Sequence, residues 1–210
     1  MSSDALREPF SRLARQHESA VFGIWLFLGT EVLFFGGMFA VYSVYRFLYP
    51  DAFLAAGHET NIYYGSVNTF ILLVSSFFMA AGEIAAREGL TRFARICFPL
   101  TAVLGMMFLI LKGFEYNDDL EKHLFPGPGF PLPENGAAIF WAFYWVMTFV
   151  HASHLTAGIA AVIRLQILSR NHPEWLRDSP SAKVTALYWH FVDAIWVVLF
   201  PLLYLAGRSS

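Results

Sequence analysis

The sequence predicts an all-α membrane protein, a bundle of five transmembrane helices, and three observations carry that prediction. Of its 210 residues 57% are hydrophobic and only 14% are charged, against about 25% charged in soluble domains. Mean hydropathy is +0.50. The apolar residues are gathered into five long runs, and these are longer than the roughly ten-residue strands of a lipid-facing barrel. Only helices satisfy every backbone group within such a run in hydrocarbon. The balance of 14 Lys and Arg against 16 Asp and Glu, a net charge of −2, argues against nucleic acid as a partner. One cysteine, Cys97, excludes an internal disulfide framework and a zinc site built on several thiolates.

The spans follow from where charge is missing. From Ala20 to Tyr45 the only Asp, Glu, Lys, Arg or His is Glu31, and Tyr64 to Gly82 has none. Ile96 to Leu111 also has none, Gly136 to Ile163 holds only His151 and His154, and Val184 to Gly207 holds only His190 and Asp193. About 20 apolar residues cross the hydrocarbon, so spans are expected near 20–46, 64–87, 93–115, 136–165 and 183–206. The third run is short. It needs Phe93 and Lys112 to Phe114, with Arg95 and Lys112 reaching for the interfaces. The first run is longer than the apolar part of a signal peptide and lacks a small-residue cleavage site. Residues 1–19, with Arg7, Arg12 and Arg15 among acidic neighbours, read as a polar arm. No internal repeat and no soluble second domain is evident.

Orientation follows from the basic residues of the loops. The arm, the loop with Arg87, Arg92 and Arg95, and the loop with Arg164, Arg170, Arg177 and Lys183 hold ten Lys and Arg, against four on the other side. The N-terminus is therefore expected in the cytoplasm and the C-terminus outside. The outer segment Tyr116 to Glu134, acidic and rich in proline and glycine, reads as an irregular connection.

Charged and histidine side chains within a span are functional candidates that face the bundle interior. Here they are Glu31, His151, His154, His190 and Asp193. At 1.5 Å per residue, Glu31 lies about 16 Å into the first helix and Asp193 about 14 Å into the last. His151 and His154 are three apart, as are His190 and Asp193, so each pair shares a helix face. Similar depths suggest one buried polar layer, in which Glu31 meets His151 or His154. A metal or proton-relay site is one reading. Hydrogen bonding that ties helices together is the other, and it is preferred, because metal sites in bundles draw several carboxylates through Glu-x-x-His spacing. Glu83 and Glu115 lie near helix ends and read as interfacial charge. Ser153, Ala157 and Ala161 form a row of small residues suited to close helix packing. Trp141, Trp145, Tyr188, Trp189 and Tyr204 read mostly as an interfacial aromatic belt.

Several stretches together resemble subunit III of the haem–copper terminal oxidases, the cytochrome c and quinol oxidases. GIWLFLGTEVLFFGGMFAVY (Gly23–Tyr42) is similar to that family's segment with a buried acid before a Phe-rich run, and VNTFILLVSS (Val67–Ser76) resembles its NT–LL–S helix. LKGFEY (Leu111–Tyr116) is similar to the segment ending in Glu-Tyr. HASHLTAG (His151–Gly158) matches its His-x-x-His-x-x-x-Gly, and YWHFVDAIW (Tyr188–Trp196) matches its Trp-His-Phe-x-Asp-x-x-Trp. The order holds from Gly23 to Gly207. Longer members have seven spans, and this chain resembles the short bacterial forms that lack the first two.

The resemblance implies a chain without haem or copper, both of which belong to partner subunits. It implies packing on subunit I, which in some relatives carries the two missing helices, contact with other oxidase subunits, and phospholipids held in a cleft. It implies support of proton uptake and stability in a complex that reduces oxygen to water and pumps protons, in a bacterial plasma membrane. By this resemblance Glu31 stands for the buried acid, His151 and His154 for the histidine pair, and His190 and Asp193 for the last-helix pair. Arg164 and Arg170 compete for the phosphate-contacting arginine. Glu31 tilts the reading toward a cytochrome c oxidase. The rivals are the related accessory subunit of nitric oxide reductases, a stand-alone membrane metalloenzyme, and a transporter, which would show repeats or broken helices. The orientation has a direct test: a C-terminal reporter active only in the cytoplasm is expected to stay silent, and an active one refutes it.

Overall fold

Long apolar runs without internal breaks fold as helices because lipid offers the backbone no other hydrogen-bond partner. The computed structural model describes residues 13–134, 136–171 and 180–208, and these form six helices and no strand. They are α1 (Leu13–Leu48), α2 (Pro50–Glu59), α3 (Ile62–Arg87), α4 (Thr91–Glu121), α5 (Ala137–Asn171) and α6 (Ser181–Tyr204). All but α2 are long and apolar enough to cross a membrane. Most of the expected arm (residues 1–12) and the loop with Arg177 lie outside the described residues.

Helix α2 is an addition to the expected plan. Pro50 opens it, where a missing N–H costs nothing, and Asp51 sits in the positive first turn. Asn61 caps α3 by accepting from the Tyr63 amide at 3.0 Å. Gly89, at φ 78°, turns the chain from α3 into α4. The connection between α4 and α5 is shorter than expected, because α4 stays helical through Tyr116 to Glu121. Asp119 is buried in the bundle there, and Asn117 donates to Glu121 at 2.9 Å along the same helix.

Helix α3 packs along α4 and α6, and both of these pack on α5. Helix α1 packs mainly on α6 and α5, with a smaller contact to α2, and most of its apolar surface faces outward. The core is aromatic. Trp141, Trp189 and Trp196 are fully buried with Tyr144, Tyr204 and Phe108, which corrects the reading of Trp141, Trp189 and Tyr204 as an interfacial belt. Their polar ends bond across helices: Trp189 Nε1 donates to Ser75 at 3.2 Å and Trp196 Nε1 to Thr69 at 3.0 Å. Gly105 makes room for Trp189, whose ring would lie 2.8 Å from a Cβ there. The small-residue row behaves differently. Ser153 and Ala157 are exposed on the outer face of α5 rather than packed inside this chain.

The C-terminal end is clasped onto α2. The Arg208 guanidinium donates to the Tyr204 carbonyl at 2.6 Å and the Thr60 carbonyl at 2.9 Å, joining the end of α6 to the end of α2. Tyr42 adds a bond to the Leu202 carbonyl at 2.5 Å. Gly207 permits the contact, since a Cβ there would stand 2.5 Å from backbone atoms of Gly57 and His58. Gly207→Ala is therefore expected to destabilise the solubilised protein by roughly 1–3 kcal/mol. Gly113→Ala, with nothing within 4 Å, is the matched control that should not. Thermal melts of the two variants check this.

Candidate functional site

In hydrocarbon an ionisable side chain must find its partners within the protein, and the five expected residues meet that demand in different ways. Glu31 on α1 and His154 on α5 meet directly, with Oε2 3.0 Å from Nε2. The other ring nitrogen, Nδ1, lies 2.9 Å from the Val150 carbonyl. A carbonyl only accepts, so Nδ1 carries a proton. The contact between Nε2 and Glu31 must then hold a second proton, on either the acid or the imidazole. The pair is thus a proton-sharing unit. Phe35 stands edge-on to the imidazole at 5.3 Å, and Tyr188 donates to the His154 carbonyl at 3.0 Å. The two side chains remain 17% and 21% exposed, so the pair is reachable from outside this chain.

His151 is sealed off. Its ring lies 5.1 Å from Trp196 and 5.6 Å from Phe108, and neither nitrogen has a hydrogen-bond partner among the described residues. Asp193 is buried with both carboxyl oxygens unpartnered in the same sense. His190 Nδ1 pairs with the Ser76 hydroxyl at 2.7 Å. Only Glu31 and His154 come together, so the expected single layer is divided between the α1–α5 contact, the core and the α3–α6 side. Among the described residues no three His, Cys, Asp or Glu side chains are grouped so as to hold a metal ion. Arg164 and Arg170 are exposed on α5. Arg95, expected to reach for the interface, instead donates through Nε to the Ser169 carbonyl at 3.0 Å, with a second bond from Nη2.

The largest departure is at Lys112 and Glu115, expected at the interface and found buried. The Lys112 ammonium donates to Glu115 Oε2 at 3.0 Å, the Tyr144 hydroxyl at 2.9 Å and the Tyr204 hydroxyl at 2.7 Å. Tyr204 passes its own proton to Glu115 Oε1 at 2.8 Å, and Tyr144 donates to Asp119 at 2.7 Å. An ammonium has three donors, and here each is used. The ammonium also lies 4.4 Å from the Tyr144 ring centre, within cation–π range. A signal for this site exists in the sequence: Lys112, Glu115 and Asp119 recur at helical spacing and so share one face.

Known proteins resemble this chain over nearly its whole length. It is 32% identical over 197 residues to cytochrome c oxidase subunit 3 of Thermostichus vulcanus, covering 93% of this chain and 92% of the relative. It is 34% identical over 186 residues to cytochrome c oxidase subunit 3 of Synechocystis sp., covering 88% and 75%. Quinol oxidase subunit 3 of Bacillus spizizenii is 29% identical over 195 residues, covering 90% and 88%. No family model matches the chain.

Removing one partner from a buried ion pair costs about 3–5 kcal/mol, because the other charge is left alone. Lys112→Met is expected to destabilise the protein by that order, more than Lys122→Met on the exposed end of α4. Denaturation of both variants in one detergent checks the difference.

Proposed function

Because the chain belongs to the subunit 3 family of the cytochrome c and quinol oxidases, we propose that it is the non-redox subunit of a haem–copper oxygen reductase. It packs on subunit I, which carries the haem and copper and reduces oxygen to water while protons are pumped. The observation that carries this reading is the Glu31–His154 pair: a proton-sharing acid and base at mid-membrane, open to whatever packs beside α1 and α5. Such a pair moves its shared proton between acid and base without leaving either charge alone in hydrocarbon. That suits a role in supporting proton uptake by the neighbouring subunit.

The remaining surface fits the same role. Helix α1 turns Phe22, Leu33 and Phe47 outward, and the small residues Ser153 and Ala157 leave space on α5 for a helix from a partner. Arg164 and Arg170 offer phosphate contacts to phospholipid at the end of α5. The basic loops face the cytoplasm, and the complex sits in a bacterial plasma membrane. His154 is committed to Glu31 and His151 is enclosed by Phe108 and Trp196, which supports the reading that the redox centres belong to partner subunits. Haem would need an axial histidine in a pocket that admits the macrocycle.

The test compares His151→Leu and His190→Leu in the purified complex. Assembly or sustained turnover is expected to fall while the haem spectrum per complex is unchanged. Stoichiometric iron or copper retained by the isolated chain, and lost on these substitutions, would overturn the reading.

A further inference from the structure

The buried aromatic rings include a continuous row of oxidisable side chains. Trp196 and Tyr204, both on α6, have ring centres 6.1 Å apart. Tyr204 lies 6.3 Å from Tyr144 on α5, Tyr144 lies 5.9 Å from Trp145, and Trp145 lies 4.6 Å from Tyr116 on α4. Trp196, Tyr204 and Tyr144 are fully buried. Trp145 and Tyr116 are half-buried, so the row runs from the core toward the surface. It ends beside the α4–α5 connection, where Trp145 Nε1 donates to the Leu124 carbonyl at 3.3 Å and Phe125 is exposed.

Ring contacts by themselves amount to packing. What sets this row apart is the proton chemistry of its two buried tyrosines. A tyrosine that gives up an electron must also give up its hydroxyl proton, because a lone ring cation is costly in an apolar site. The Lys112 ammonium, 4.4 Å from the Tyr144 ring centre and 5.4 Å from that of Tyr204, opposes such a cation further. Each hydroxyl already donates to a carboxylate, Tyr204 to Glu115 at 2.8 Å and Tyr144 to Asp119 at 2.7 Å. A carboxylate takes up that proton and becomes a donor in turn. The bond then keeps its place with its direction reversed, and Lys112 goes on donating to the same phenoxyl oxygen. No hydrogen bond of the network is lost.

We propose that this row carries oxidising equivalents out of the core to the surface. A one-electron oxidant of high potential, the class to which partly reduced oxygen species belong, takes an electron from Trp196 or Tyr204. Electrons then move inward along the row to refill the vacancy. At each buried tyrosine the electron leaves the ring as the proton crosses to Glu115 or Asp119, and both return when the next ring supplies an electron. The vacancy ends on Trp145 or Tyr116, where a small water-soluble reductant such as a thiol gives the final electron. The oxidant is reduced by one electron, the thiol is oxidised by one, and the chain is restored. The path follows from the rings and their carboxylates, so it does not depend on the oxidase assignment.

The experiment photo-oxidises the purified complex, in mild detergent, with near-ultraviolet light absorbed by the indole rings. A cobalt(III) ammine takes up the ejected electrons, and oxygen adducts on this chain's peptides are located by mass spectrometry. In the unaltered protein adducts are expected to gather on Trp145 and Tyr116 and to be sparse on Trp196. Tyr144→Phe is expected to shift them to Trp196 and Tyr204, because a phenylalanine ring is too hard to oxidise to carry the vacancy onward. Asp119→Asn keeps every ring and still accepts from the Tyr144 hydroxyl, but an amide does not take the proton, so the same shift is expected. Packing alone would leave Asp119→Asn without effect on the pattern. An adduct distribution unchanged in either variant overturns the proposal. If both fail to assemble, Trp145→Phe, which leaves the Lys112 network alone, carries the test. Adducts are then expected to build up on Tyr144 and Tyr204, and a pattern that differs only by the missing ring overturns the proposal.

Discussion

One ammonium group holds the register of half the bundle. Lys112 sits where water cannot reach it, and its three protons go to Glu115 on its own helix, Tyr144 on α5 and Tyr204 on α6. Sliding α5 or α6 by one turn, about 5.4 Å, would break at least one of those bonds in a medium with no replacement. Apolar packing between lipid-embedded helices lacks that specificity, because lipid tails are as apolar as the side chains they would displace. The tyrosines extend the constraint. Each accepts from Lys112 and donates to a carboxylate, Tyr204 to Glu115 and Tyr144 to Asp119. Every member of the network therefore has a reason to stay where it is, and a satisfied network of this kind is stiff.

Once α4, α5 and α6 are locked at that end, the aromatic core has one arrangement. Tyr204 lies over Gly65, the rings of Trp196, His151 and Phe108 pack against one another, and Trp189 fits the space that Gly105 leaves. Helix α3 enters through its small and hydroxyl residues, with Thr69 and Ser75 taking the indole protons. Helix α1 stands outside this system. Its links to the bundle are few, and the principal polar one at mid-membrane is Glu31 to His154. The same acid that makes the pair chemically interesting thus also seats α1.

The sequence made the spans legible because hydrocarbon enforces a simple rule: long runs without charge must be helices. It did not reveal α2, whose ten residues are too short for that rule and whose signals are the local ones of Pro50 and Asp51. The same rule misplaced Lys112 and Glu115. A short apolar run ending at Leu111 makes the next charges look like a boundary, whereas here they are interior. The acceptors that turn Lys112 inward, Tyr144 and Tyr204, are 32 and 92 residues away along the chain, and no spacing within one helix announces them. Among the candidate site residues, spacing placed His151 and His154 on one face, but a three-residue step is enough to send one into the core and leave the other near the surface.

The chain meets intramembrane charge in three ways, and they differ in what they permit. The Lys112 network uses every donor of its cation, so moving a proton through it would cost a bond that nothing nearby replaces. His151 and Asp193 are buried and make no hydrogen bond that meets ordinary geometry among the described residues, so neither has a partner fixed in place with which to share a proton. Glu31 and His154 lie between these extremes. They share one proton across a single contact, with the second histidine nitrogen anchored on Val150, so the ring keeps its orientation whichever partner holds that proton. A group that changes protonation without changing position is what a fixed bundle can offer to a neighbour that moves protons. The completed network makes that possible by holding α5, and with it His154, still.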